Sequence, residues 1–198
     1  MLWLSTSTLS RLRDQLRERG AAPSQVFPPG STPESIEAIN ISTEYGPLCE
    51  AMYLMMSADN DVSDAEREVL KGALRNLSGD TLRSKHIEVL LDDAIAKIKD
   101  EGREKRMAAV VDSLKGDAGR AEVAFVLAAA IAFADNAIAD EENDTLNAFA
   151  EGLGISDERA EALMDDVDAD LAEHPENVKK TDDAVTPTEG ESGASGAT

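Results

Sequence analysis

Apolar residues recur along most of this chain at the spacing of three and four that puts them on one face of a helix. Thr8 to Gly20 predicts a short amphipathic helix, with Leu9, Leu12 and Leu16 on one face and arginines on the others. Docking on the domain and fraying are the plain readings of this helix; weak binding to a partner or a membrane surface is the alternative. Prolines 23, 28, 29 and 33 then exclude a regular element, so a linker and lead-in are expected to about residue 44. From about 34 to 173 the pattern is helical almost throughout. Pro47 is placed in the first turn of a helix running to about Ser57, with Leu48, Met52, Tyr53 and Met56 inside. Ser63-Asp-Ala-Glu66 is a capping box that opens the next helix, whose face is Val69, Leu70, Leu74 and Leu77.

Gly79-Asp80 is expected to stop that helix and cap another, from about Thr81 to Lys99, carrying Ile87, Leu90, Leu91, Ala94, Ile95 and Ile98. Gly102 breaks it. Met107, Val110, Val111 and Leu114 mark a further helix, which ends at Gly116 to Gly119. Ala121 to Ala134 is apolar all round except Glu122. It is too short for a bilayer, which needs about 20 residues, so it predicts a central buried helix. Helices over Asp140 to Gly152 and Ser156 to about Glu173 follow, and Pro175 begins an acidic Thr/Ser/Gly-rich tail. The expected fold is all-α: a single compact bundle of about seven helices over 45–173, built from two similar hairpins. A short helix (1–20) and a Pro-rich linker and lead-in (21–44) form a flexible N-terminal extension, and 174–198 form a disordered tail.

Composition agrees. Hydrophobic residues are 42% of the 198, enough for a core, and aromatics only 4%, which disfavours a sheet protein. The net charge is −21, of which residues 45–174 carry −17. That surplus argues against nucleic acid and anionic membranes, which need clustered cations. The one cysteine, Cys49, excludes an intrachain disulfide and suits a reducing compartment. Two histidines, His86 and His174, exclude a multi-His zinc site.

The feature that changes the picture is a repeat. Ala58-Asp-Asn-Asp-Val-Ser-Asp-Ala-Glu66 returns as Ala134-Asp-Asn-Ala-Ile-Ala-Asp-Glu-Glu142, a spacing of 76 residues, and Leu70 matches Leu146. Each copy ends one helix and starts another. Asn60 and Asn136 suit a left-handed turn, and Val62 and Ile138 can plug the hairpin. Acids early in the following helix complement its dipole. Asp59 and Asp135 are the exceptions: each sits at a helix C-terminus, where a carboxylate is unfavourable. A loop amide, a Lys or Arg, or a metal ion must compensate.

Other readings of the acids fail. Asp59, Asp61 and Ser63 mimic the start of an EF-hand loop, but Asp64 stands at its glycine and Leu70 at its closing glutamate. Asp166, Asp168 and Asp170 fail the same tests and read as a solvated helix end. A di-iron site needs Glu-x-x-His pairs, which are absent.

The two motifs resemble those of the TerB-like tellurite-resistance family, all-helical proteins with two acidic motifs of the form Ala-Asp-Gly-x-Ile-x-x-x-Glu. The resemblance covers roughly residues 45–173. Asn60 and Asn136 stand at the family's glycines, Ala139 replaces the cap that Ser63 supplies in the first copy, and Asp61 has no acidic counterpart at Ala137. The resemblance implies a non-enzymatic, cytoplasmic protein of a tellurite or metal-stress response. It implies an acidic cluster that binds metal ions or partner proteins, sometimes near the inner membrane. A related helical domain opens a membrane-anchored co-chaperone, which strengthens the partner-binding implication.

The leading expectation is therefore an acidic site of Asp59, Asp61, Glu66, Asp135, Asp140 and Glu142. Hard oxygen ligands favour Ca²⁺, Mg²⁺ or Mn²⁺. The alternative is a purely protein-interacting or co-chaperone-like domain that meets a basic or membrane-associated partner without metal. A carboxylate-only metallohydrolase ranks last: there is no histidine base, nucleophile elbow or phosphate loop. His86 reads as a half-exposed helix residue, and Cys49 as a small buried apolar group.

Overall fold

The computed structural model describes residues 4–18, 27, 29–57, 62–132 and 140–173. Among them the chain forms eight α-helices and no strand: α1 (Thr6–Glu18), α2 (Pro33–Met56), α3 (Asp64–Leu77), α4 (Ser84–Glu101), α5 (Arg103–Leu114), α6 (Ala118–Ala132), α7 (Asp140–Leu153) and α8 (Asp157–Glu173). One apolar core runs through all of them, as expected of an all-α bundle. Its centre is α2 against α6. In α6 every residue from Val123 to Ala132 is buried, and its alanines let neighbouring helices approach closely.

The repeat is a repeat of structure. Helix α2 ends at Met56 and α6 at Ala132; α3 spans 64–77 and α7 spans 140–153, so each bound recurs 76 residues later. Leu70 and Leu146 are both 0% exposed. The likeness extends past the hairpins: α4 packs on α2 and α3, and α8 packs on α6 and α7. The bundle is thus two three-helix units with α5 between them in sequence.

Local chemistry sets most boundaries. Ser63 Oγ accepts from Glu66 N at 3.3 Å while Glu66 Oε2 accepts from Ser63 N at 2.8 Å, the reciprocal bonds of the expected capping box. Gly102, at φ 84°, ends α4 and admits α5 at the next residue, a conformation open to glycine.

Three expectations change. First, α2 starts at Pro33, fourteen residues before Pro47. Thr32 caps it by accepting from Ser35 N, and Pro33 occupies the first turn, where a missing N–H costs nothing. Pro47 therefore lies inside a helix, and the lead-in to residue 44 is helical from Pro33. Second, α4 starts at Ser84 rather than Thr81. Gly79 and Asp80 both take left-handed backbone, at φ 60° and 61°, and Ser78 Oγ accepts from Leu82 N while Leu82 is buried. That turn delays the helix until Leu82 is in the core. Third, α1 is docked. Leu9, Leu12 and Leu16 are 2–4% exposed, and α1 packs on α3 and α6. The expected tail, 174–198, lies outside the described residues.

Candidate metal and partner-binding site

The repeated junctions are where the acidic site is expected. Asp59, Asp61 and Asp135 lie outside the described residues. Asp140 opens α7 and Glu142 follows in its first turn, with side chains also outside the description. Glu66 is described, in the first turn of α3. Its Oε2 accepts from both the backbone N–H and the hydroxyl of Ser63, each at 2.8 Å. No group of three or more His, Cys, Asp or Glu among the described residues could hold an ion.

The end of α2, which leads into the first motif, carries a cation. Arg103 Nη1 donates to the Leu54 carbonyl at 2.6 Å and to Ser57 Oγ at 2.9 Å. A guanidinium at a helix C-terminus answers both the orphan carbonyls and the negative end of the dipole. Leu54 and Arg103 also line an open, mostly apolar groove of about 510 Å³, with Met107 of α5 and Thr145 of α7. Thr145 is five residues into α7, about 8 Å of helix from Asp140 at the usual rise per residue. One groove thus borders the residues that enter the first motif and those that follow the second.

Three buried charges beside this region went unnoticed in the pattern of apolar positions. Glu50 of α2 is 4% exposed. Its carboxylate is clasped by Arg106 of α5, with Nε to Oε1 at 2.6 Å and Nη2 to Oε2 at 2.9 Å. Arg106 also reaches Glu101 at 3.3 Å, and these partners raise the guanidinium pKa further, with the Glu50 bond the largest cause. The signal was present: Glu50 is the one acid in the run Leu48 to Met56, and a buried acid calls for a partner.

Arg120 is the third. It is 9% exposed, near the start of α6, where Asp117 Oδ1 accepts from its backbone N–H. Its Nη2 donates to the carbonyls of Thr43 and Glu44, each at 2.9 Å. Pro47 has no N–H to give the carbonyl four residues back, which is that of Thr43. Arg120 supplies the missing donor, so a proline in the middle of α2 is tolerated.

The polar residue expected in the central helix is also paired. Glu122 takes Arg159 of α8 at 2.9 and 2.8 Å and Gln15 of α1 at 3.0 Å. The Arg159 bond, foremost, holds its carboxyl below the usual range. Asp166 and Asp170, read as a solvated end, instead hold α1: Asp166 meets Arg11 at 2.7 Å, and Asp170 accepts from the Ser5 hydroxyl at 3.0 Å. His86 is half-buried in the first turn of α4.

Cys49 is fully buried, and its thiol is pushed up to about 12, by burial first and then by the charges of Glu50 and Asp93. It is no nucleophile at neutral pH, since the thiolate is the reactive form. Native protein is expected to leave Ellman's reagent unreacted at pH 8, with one thiol released on unfolding in urea. Prompt reaction of the folded chain at the rate of an exposed cysteine contradicts this.

No curated protein and no solved structure matches the chain. Its helical pairs, repeated in register and each carrying an acidic motif at the turn, find their counterpart in one family: residues 48–165 match the family model of tellurite resistance protein TerB, and the chain belongs to that family.

Proposed function

We propose that this TerB-family chain is a non-enzymatic, cytoplasmic module of a tellurite or metal-stress response. It binds a divalent cation, Ca²⁺, Mg²⁺ or Mn²⁺, through Asp59, Asp61, Glu66, Asp135, Asp140 and Glu142. The observation that carries the reading is the register. Two acidic motifs sit at equivalent helix junctions, and the helices on either side border one groove. Acidic oxygens alone favour hard cations, and the −17 of residues 45–174 favours any cation's approach.

A second reading keeps the acids and drops the metal: the cluster meets a basic protein. The use of Glu66 Oε2 in the capping box favours it, because that oxygen is already spent on Ser63.

Adding Ca²⁺, Mg²⁺ or Mn²⁺ back to chelator-treated protein is expected to raise Tm, because an ion that binds only the folded chain stabilises it by mass action. Asp59→Asn with Asp135→Asn is expected to abolish the rise. No shift with any of the three ions at about millimolar concentration, well above the affinity of sensor-type sites, sinks the metal reading. Salt-sensitive capture of a partner would then stand for the second.

A further inference from the structure

Helix α1 lies outside the stretch that matches the family, yet it fills a groove made by α3, α6 and α8. Its seating has two parts. Leu9, Leu12 and Leu16, at the spacing i, i+3, i+7, are almost wholly buried. The rim is polar and of opposite sign: Arg11 pairs with Asp166 of α8, and Gln15 donates to Glu122 of α6. On the other flank the Arg13 and Arg17 side chains lie over Gly79, where an added Cβ would stand 3.2 Å from each. Nothing but the segment 19–32 ties α1 to the rest, and three of its residues are proline. The Arg11–Asp166 pair is about half exposed on both sides, a bond that water can replace.

These are the features of an amphipathic helix bound in a groove, read by apolar anchors on one face and by charge on the flanks. We propose that the α3/α6/α8 groove is a receptor for basic amphipathic helices, and that α1 is its occupant in cis. A partner helix with leucines at the same spacing and arginines on both flanks takes the groove by displacing α1. The acidic rim selects against acidic helices, because Asp166 and Glu122 would face like charge. Tethering gives α1 an effective concentration of about millimolar, so the partner enters readily only when α1 is weakened or the partner is bound a second time elsewhere.

The test is a fluorescein-labelled peptide of residues 4–18, titrated into the full-length protein and into full-length Leu12→Asp. The variant is expected to bind the peptide at least about tenfold tighter than the wild type, since its own α1 no longer competes. Raising salt from about 0.05 to about 0.5 M should weaken that binding several-fold, and so should Arg11→Glu in the peptide. Full-length Leu9→Ala/Leu16→Ala, a milder change, gives the same ordering should Leu12→Asp fail to fold. Folded variants that ignore the peptide overturn the proposal, as do variants that both unfold, which would make α1 an integral core helix. Equal affinity for wild type and variant places the peptide elsewhere and also overturns it. A dimer exchanging α1 between chains overturns the partner reading in favour of a second copy.

Discussion

Replacing Arg106 by Ala is expected to cost about 3–5 kcal/mol, the usual cost of breaking a buried pair from one side. The Glu50 carboxylate is 6% exposed and takes two bonds from that guanidinium, so removal strands a charge away from water. The stranded charge, rather than the lost attraction, makes the effect large. Urea unfolding followed by far-UV circular dichroism measures it. Glu50→Leu with Arg106→Met separates the two terms: an apolar pair of similar volume is expected to restore most of the stability. A loss below about 1 kcal/mol for Arg106→Ala would mean that the pair is solvated in solution, as surface pairs are.

The second large effect belongs to Arg120. Arg120→Ala is expected to cost about 2–3 kcal/mol, from two bonds by a charged donor and the packing of a buried stem. Arg120→Met keeps the stem and isolates the bonds. The decisive measurement is the cycle with Pro47→Ala. Alanine at 47 restores the N–H that the Thr43 carbonyl lacks, so Arg120→Ala should cost about 1 kcal/mol less in that background. Strict additivity would show that Arg120 does nothing for the interrupted helix.

These two residues show what periodicity reads and what it misses. The apolar faces expected of α3 and α6 are buried as expected, because a 3.6-residue period is a local property. The capping box at Ser63 was legible for the same reason: its four residues contain all of its atoms. Pro47 misled because its local meaning is to stop or start a helix. Its remedy comes from Arg120, 77 residues away from Thr43. Asp166 misled likewise: as one of three alternating acids near a helix end it reads as solvated, but α1 returns to pair with it.

The candidate site is legible to a different depth. The repeat and its register were in the sequence, and the helix bounds repeat with it. A carboxylate after a helix end was read as needing a cation or donor. The structure supplies one at the end of α2 as Arg103, a residue no motif pointed to. Its place follows from α5 crossing the end of α2, which no window of sequence contains.

The sequence by itself determined the all-helical class, the core-facing positions, the capped start of α3 and the two acidic junctions 76 residues apart. Each depends on spacing, propensity or a cap within one turn or hairpin, so neighbouring residues suffice. Only the tertiary structure decided that α2 runs through Pro47, that Glu50 is neutralised by Arg106, that Arg103 closes α2 and that α1 is seated between α3, α6 and α8. Each of these joins groups from different helices, and a buried polar atom must be satisfied by whatever donor the packing brings within reach.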